Sequence, residues 1–121
     1  MGEATQHHAI NYVEFTTTDI EKTKTFYGKV FGWSFQDWGP EYISWDKATV
    51  GIAGGFRLRE RGAEAGPAEP LIVLYSKDLK ASEEAVIAAG GTIVVPTFEF
   101  PGGRRFHFSD GAGNVLAVWS E

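Results

Sequence analysis

The 121-residue sequence contains no cysteine, which excludes disulfides, thiolate metal ligands and a cysteine nucleophile. It also lacks a basic and then apolar amino-terminal segment, and no apolar run approaches the ~20 residues that a membrane-spanning helix needs. The absence of cysteine is compatible with a reducing compartment. We therefore expect a cytoplasmic protein that has no membrane as partner.

Positive charge is scarce as well, since 11 Lys and Arg residues face 16 Asp and Glu residues, for a net charge of -5. An acidic surface does not attract nucleic acid, so we expect no nucleic-acid partner. The hydrophobic content of 43% and the charged content of 22% are typical of a folded globular protein. The length predicts one domain over residues 1–121 with a single hydrophobic core.

The first part of the chain has the pattern of a β-α-β-β-β unit. A strand pattern is followed by Asp19, which can cap a helix that ends at Gly32. Short strands are predicted next, at residues 33–38, 42–46 and 50–57. Residues 58–70 are charged, contain Gly and Pro and have no apolar period, which predicts a linker.

The same order then restarts. After a strand at residues 71–76, Asp78 can cap a helix at residues 79–89. The remaining strands are predicted at residues 92–95, 98–100, 104–109 and 114–120. An offset of 59 pairs Asp19 with Asp78 and Thr23 with Ser82, which indicates a repeated unit.

The repeat predicts an α+β fold made of two tandem βαβββ modules. The first module covers about residues 8–57 and the second about residues 71–121. Each module supplies one helix and a four-stranded sheet with one face left to cover. Two such sheets side by side form a curved mixed sheet around a cup-shaped cavity, with the helices outside. Concave cavities of this kind hold small ligands.

Two motifs carry a resemblance to a known family. Asp19 followed by FYGKVFGW at residues 26–33 resembles the module opening of the glyoxalase/bleomycin-resistance/extradiol-dioxygenase superfamily, also called the vicinal oxygen chelate superfamily. The stretch DGAGN at residues 110–114 is similar to its Asp-Pro-x-Gly-Asn turn, with Gly111 where proline is usual. The resemblance extends over essentially the whole chain, including the repeat.

The resemblance implies a divalent metal in many members, held by His, Gln or Glu side chains on the first and last strands of each module. Such an ion chelates neighbouring oxygens of the substrate. Here those positions fall near Ile10, in the strand at residues 50–56, at Leu71 and at Ala117. None of these residues has a ligating side chain, so we expect no metal of this kind and no cofactor. A different set, made of His8, Glu14 and His107, stays open.

The cup side of the strands can be predicted from the same positions. If Leu71 and Ala117 face the cup, strand alternation directs further side chains to the same side: Tyr12, Glu14, Tyr75 and Trp119. Burying Phe106 and Phe108 against the helices sends Arg105 and His107 into the cup, while Arg104 faces outward. Trp45 and Phe56 are the next candidates for lining the cavity.

These residues support two predictions of function. Arg105 can bind a carboxylate, phosphate or enolate oxygen bidentately. The first prediction is a metal-independent member that binds a small organic ligand in an aromatic-lined cavity, as bleomycin-resistance proteins do. The second is a glyoxalase-like isomerase or lyase that acts on a carbonyl compound, with His107 and Glu14 as an acid–base pair beside Arg105.

A third interpretation gives these residues a structural role. Glu14 and Arg105 then only pair electrostatically, and His107 forms a hydrogen bond within an aromatic wall. The sequence leaves open whether the protein is an enzyme. The family resemblance also implies a homodimer.

Overall fold

The computed structural model describes residues 6–59 and 69–121. The described chain forms these elements in order: β1 (Ile10–Thr17), α1 (Ile20–Phe31), β2 (Phe35–Asp37), β3 (Tyr42–Trp45), α2 (Lys47–Val50), β4 (Ala53–Leu58), β5 (Leu71–Tyr75), α3 (Leu79–Ala88), β6 (Thr92–Phe100), β7 (Gly103–Ser109) and β8 (Val115–Ser120).

The strands form one curved, open sheet in the order β2-β3-β4-β1-β5-β8-β7-β6. At its centre β1 pairs antiparallel with β5, and each of the two pairs in parallel with the last strand of its own half, β4 or β8. This arrangement confirms the predicted α+β fold of two βαβββ units. The extent of the single domain stays a prediction, because residues 1–5 and 60–68 lie outside the described residues.

The two long helices start with the same arrangement of side chains, at the offset that the sequence predicts. Asp19 accepts a hydrogen bond from the Lys22 amide at 3.0 Å, and Asp78 accepts one from the Ala81 amide at 3.1 Å. These bonds satisfy backbone donors that have no partner within the helix. Hydroxyl pairs at 2.7 Å flank each cap, joining Thr17 to Thr23 and Ser76 to Ser82.

Asp19→Ala and Asp78→Ala should each lower the free energy of unfolding by about 1 kcal/mol, because each removes a helix cap. Denaturant unfolding at pH 7 measures the loss. Glu84→Ala is the control, since Glu84 is exposed on α3 and does not cap a helix. Equal stabilities for Asp78→Ala and Glu84→Ala would contradict the assigned role of the cap.

Two predicted elements differ from the structure. The sequence predicts a strand from residue 50, but residues 47–50 form the short helix α2, capped by Asp46 and ended by Gly51 at φ 102°. The strands predicted at residues 92–95 and 98–100 are one strand, β6. Its pairing with β7 is irregular between Val95 and Phe98, which explains why the apolar alternation is interrupted there. Of the predicted linker, residues 60–68 lie outside the described residues.

Apolar side chains form three clusters on the two faces of the sheet. Trp45 and Phe56 belong to the cluster beneath α1, and Phe106 and Val118 to the cluster beneath α3. The third cluster fills much of the concave face with Tyr12, Ala53, Leu71, Val73, Tyr75, Ala117 and Trp119. In residues 6–59 and 69–121, none of the helices has the length and apolar character needed to cross a membrane.

Candidate ligand site

A polar pocket of about 160 Å³ lies on the concave face, beside the third cluster. Strands β1, β4, β5 and β7 contribute most of its lining, which consists of Glu14, Thr16, Arg57, Glu69, Leu71, Arg105 and His107. Two of these side chains, Arg105 and His107, are neighbours on one face of β7, as the alternation with Phe106 and Phe108 predicts. The pocket therefore brings together Glu14, Arg105 and His107, the three polar residues expected there.

Glu14 lies at the centre of the charged groups, with 6% of its surface exposed. Its Oε1 is 3.7 Å from Nη2 of Arg105 and 3.8 Å from Nε of Arg57. Its Oε2 accepts a hydrogen bond of 3.0 Å from the Tyr42 hydroxyl, which lies 2.6 Å from the Tyr12 hydroxyl. Three strands around β1 thus provide partners for one buried carboxylate, which keeps it from being an isolated buried charge.

The two tyrosines of this network stay protonated at neutral pH. Burial raises the pKa of Tyr12 to about 12, and burial together with the charge of Glu14 raises the pKa of Tyr42 well above its usual range. Tyr42 can therefore donate to Glu14 throughout the physiological range of pH. This hydrogen bond holds the carboxylate in one orientation.

Aromatic rings fix the orientation of Arg105. The guanidinium carbon is 5.2 Å from the ring centre of Phe98 and 5.6 Å from that of Phe100, both on β6. These are cation–π distances, and such contacts are stronger where water is excluded. Only 13% of the Arg105 side chain is exposed. The pocket therefore contains a guanidinium whose position is set by two rings and a buried carboxylate.

His107 is a neutral imidazole with an unsatisfied nitrogen. Its Nε2 is buried and has no hydrogen-bond partner among the described residues. Burial, followed by the charges of Arg105 and Arg57, lowers the pKa of His107 from 6.5 to about 4. A buried nitrogen without a partner costs about 1–3 kcal/mol. A histidine with a purely structural role would be expected to have a hydrogen-bond partner for this nitrogen.

The His107 pKa predicts a specific dependence of stability on pH. Between about pH 6.5 and 4 the unfolded chain binds a proton at this position that the folded protein does not bind. The contribution of His107 to stability is therefore fully present above pH 6.5 and is lost as the pH falls through this window. Denaturant unfolding measures the free energy of unfolding at pH 7 and at pH 5. The decrease between the two pH values should be smaller for His107→Gln than for the unchanged protein. Identical decreases for the two proteins would contradict the lowered pKa of His107.

Three further residues, Thr16, Arg57 and Glu69, line the outer edge of the pocket. Glu69 accepts a hydrogen bond of 2.9 Å from Thr16 and another of 3.2 Å from Arg57. Arg59 donates to the same Thr16 hydroxyl at 2.6 Å. Sequence reasoning missed all of these residues. No alternation of side chains indicates the side of Arg57, because Gly54 and Gly55 precede it in the strand, and nothing in the sequence marks Glu69.

The aromatic residues expected in the cavity wall do not line the pocket. Tyr12, Tyr75 and Trp119 are on the predicted face, but they pack against one another in the third cluster. Tyr75 donates to Glu121 at 2.9 Å and Trp119 donates to Asn11 at 3.0 Å. The predicted aromatic-lined cavity is thus corrected to a smaller, charged pocket, because the aromatic side chains fill the adjacent space.

Trp45 and Phe56 lie on the opposite face of the sheet. Phe56 contacts Tyr27 of α1 with ring centres 5.2 Å apart, and Trp45 contacts Trp33 at 5.1 Å. The Trp45 indole donates to the Ile52 carbonyl at 2.6 Å. Their predicted place in the cavity wall is therefore wrong. They belong to the core beneath α1.

The residues at the metal positions of the family do not fit a divalent ion. Leu71 and Ala117 are buried and apolar, and Ile10 is exposed at the start of β1. Tyr12, which the offset of 59 pairs with Leu71, is buried and its hydroxyl lies 2.6 Å from that of Tyr42. In the described part of the chain, no three His, Asp or Glu residues are grouped as metal ligands. His8 lies instead in a turn before β1, stacked on His7 and 3.4 Å from the Ser82 hydroxyl. The donors that such an ion requires are missing from these positions.

A larger hollow of about 460 Å³ lies on the outer surface of α1, between side chains such as Lys22, Phe26 and Lys29. One helix supplies all of its lining. It therefore lacks the convergence of groups from several strands that characterises the polar pocket, and we assign the site to the latter.

Comparison with known proteins gives the family. A model of the Glyoxalase/Bleomycin resistance protein/Dioxygenase superfamily matches residues 9–118. The chain belongs to this superfamily. It is 29% identical to a glyoxylase-like domain-containing protein of Didymella fabae, over 93% of both chains. It is 25% identical to the putative glyoxylase CFP32 of Mycobacterium bovis, over 90% of this chain and 44% of that one, so it spans less than half of that relative.

A solved structure agrees in fold. The Mn(II)-bound glyoxalase from Novosphingobium aromaticivorans superposes with a TM-score of 0.66 at 21% identity. The match covers 94% of this chain and 39% of that chain. At this identity the likeness concerns the arrangement of strands and helices, so the site has to be interpreted from its own residues.

Proposed function

We propose that this superfamily member binds a small organic ligand without a metal, in the pocket between Glu14, Arg105 and His107. One observation carries the proposal: a buried ion pair and an imidazole with a buried, unsatisfied nitrogen line the same open pocket. Elsewhere on this face the chain packs apolar side chains. Costly polar groups that line a pocket are typical of a binding or catalytic site.

The size of the pocket limits the ligand. A volume of about 160 Å³ is below the ~300–1,000 Å³ of pockets that enclose drug-sized ligands. A small molecule, or the head group of a larger one, would fill it. A cationic drug of the kind bound by bleomycin-resistance proteins fits poorly, because it would meet the guanidinium groups of Arg57 and Arg105.

A fragment screen by thermal shift, on protein dialysed against EDTA, tests this proposal. We expect compounds that raise the melting temperature of the unchanged protein and lose most of this effect in Arg105→Gln. Arg104→Gln is the matched control, because Arg104 is the exposed neighbour of Arg105 on β7 and carries the same charge. Hits that depend on an added divalent metal, or that respond equally to both substitutions, would contradict the proposal.

His107 favours a second candidate, an isomerase of the glyoxalase-like type. A neutral imidazole can remove a proton from the carbon next to a carbonyl group and return it to a neighbouring position. The electron pair then resides on the carbonyl oxygen as an enolate, which the Arg105 guanidinium stabilises. Glu14, which accepts a hydrogen bond from the Tyr42 hydroxyl, would act as the second acid–base group. In this candidate no step requires a metal.

Exchange of carbonyl-adjacent protons in D₂O, followed by NMR, tests the catalytic candidate. If a pocket ligand is also a substrate, its carbonyl-adjacent protons should exchange faster in the presence of the unchanged protein than in the presence of His107→Gln. The variant should still bind the ligand through Arg105. If exchange occurs at the uncatalysed rate for every compound that binds, the protein is a binding protein. The cytoplasmic location and the homodimer stay predictions, and light scattering after size-exclusion chromatography measures the latter.

A further inference from the structure

Two tyrosine hydroxyls connect the third cluster with the polar pocket. We propose that they form a hydrogen-bond chain with one direction, from Tyr12 to Tyr42 to Glu14, which makes both tyrosines positioning residues of the pocket. The inference rests on the proposed function, because it concerns the site that binds the ligand. Neither tyrosine lines the pocket, so Tyr12 acts on Glu14 only through Tyr42.

The direction of the chain follows from the number of protons. A tyrosine hydroxyl carries one proton and therefore donates one hydrogen bond at a time. Burial keeps this proton in place, since it raises the pKa of Tyr12 to about 12 and also raises the pKa of Tyr42. The Tyr42 proton is used in the 3.0 Å hydrogen bond to Oε2 of Glu14. In the 2.6 Å contact between the two hydroxyls, Tyr12 is therefore the donor.

A gap in the neighbouring strand allows this chain to form. Tyr42 is on β3 and Glu14 is on β1, and β4 lies between these two strands. In β4, Gly55 pairs with Glu14. A Cβ on Gly55 would lie 2.8 Å from the Tyr42 ring and 2.9 Å from its hydroxyl oxygen. The missing side chain thus provides the space in which Tyr42 crosses β4 and reaches the carboxylate.

The chain gives the two oxygens of the Glu14 carboxylate different partners. Oε2 accepts from Tyr42, whereas Oε1 lies 3.7 Å from Nη2 of Arg105 and 3.8 Å from Nε of Arg57. Successive hydrogen bonds polarise one another, so the bond from Tyr12 strengthens the bond from Tyr42 to the carboxylate. Without these bonds the carboxylate is free to rotate, and both of its oxygens compete for the guanidinium groups. Tyr12 therefore influences the geometry of a pocket that it does not touch.

Carbon-13 NMR of the ligand-free protein, labelled at its glutamate carboxyl carbons, tests the inference. Tyr12→Phe and Tyr42→Phe each keep the ring and remove one hydroxyl, and each should shift the carboxyl signal of Glu14. Tyr12→Phe should cause no further shift in protein that already carries Tyr42→Phe, because its effect passes through Tyr42. Tyr75→Phe is the matched control. Tyr75 belongs to the same cluster, but its hydroxyl donates to Glu121, so the Glu14 signal should stay unchanged.

The hydroxyl protons provide a second measurement, which needs no substitution if a variant does not fold. In the unchanged protein both protons should exchange slowly with water, because both hydroxyls are buried. The Tyr42 hydroxyl proton should show a nuclear Overhauser effect to the side chain of Glu14. A stronger effect to the Tyr12 ring would mean that the chain runs in the opposite direction, and this result overturns the inference.

The fragment screen separates this inference from the proposed function. Fragments whose stabilising effect depends on Arg105 should lose part of it in Tyr12→Phe and none of it in Tyr75→Phe. If such fragments bind but Tyr12→Phe leaves the Glu14 signal unchanged, or still shifts it in the Tyr42→Phe background, the inference is wrong and the proposed function stands. If no fragment binds, the proposed function is wrong and the tyrosines position no ligand site, whatever the Glu14 signal shows.

Discussion

Glu14→Ala is expected to destabilise the protein by about 3 kcal/mol, because it leaves the largely buried guanidinium of Arg105 without its carboxylate. The substitution also removes the acceptor of the Tyr42 hydroxyl, whose burial makes an unsatisfied donor costly. Arg57 contributes less to the loss, since about half of its side chain is exposed to water. Urea unfolding at pH 7 measures the difference.

The double variant Glu14→Leu/Arg105→Met separates charge pairing from packing. It removes both charges and retains apolar volume, so it should be more stable than Glu14→Ala. A loss below about 1 kcal/mol for Glu14→Ala would show that water screens the pair, as in a surface salt bridge. The pocket would then be more hydrated than its buried carboxylate indicates.

Gly54→Ala is expected to cost about 3 kcal/mol and to lower the melting temperature by roughly 10 °C. Gly54 pairs with Val13 across β4 and β1, and a Cβ there would collide with the Val13 carbonyl and the Trp45 ring. The hydrogen bond from the Trp45 indole to the Ile52 carbonyl holds the ring in place. Relief of the collision would therefore separate the strands or displace the core beneath α1.

Gly28→Ala is the matched control for this glycine. In α1 a Cβ at position 28 would meet only the Trp33 carbonyl, at an ordinary contact distance of 3.5 Å. Alanine is a better helix former than glycine, so this change should be neutral or stabilising by up to about 1 kcal/mol. Differential scanning calorimetry of both variants measures the contrast. Similar melting temperatures would contradict the close packing assigned to Gly54.

The features that the sequence predicts correctly are local or periodic. Each aspartate cap acts within three residues of chain, so Asp19 and Asp78 mark their helices without knowledge of the fold. The alternation of Phe106 and Phe108 with Arg105 and His107 determines the sides of β7, because two large apolar side chains need the core. The repeat and its offset follow from the same signals.

The features that the sequence does not predict depend on contacts between distant segments. In β4, Gly54 and Gly55 have no side chains to indicate a phase, and the side of Phe56 is set by its pairing with Phe15. The filling of the cup likewise depends on Tyr42 and Phe100, which reach the third cluster from β3 and β6. Only α2 had an overlooked local signal, an aspartate cap at Asp46 followed by a glycine at position 51.

The central claim is that the pocket between Glu14, Arg105 and His107 binds its ligand without a metal. Side-chain NMR of EDTA-treated protein, titrated with the tightest compound from the screen, tests it most directly. The account predicts saturable shifts of the His107 ring nitrogens and of the Arg105 guanidinium, unchanged by added Mn²⁺. Shifts that occur elsewhere in the protein, or that appear only after Mn²⁺ is added, would contradict it.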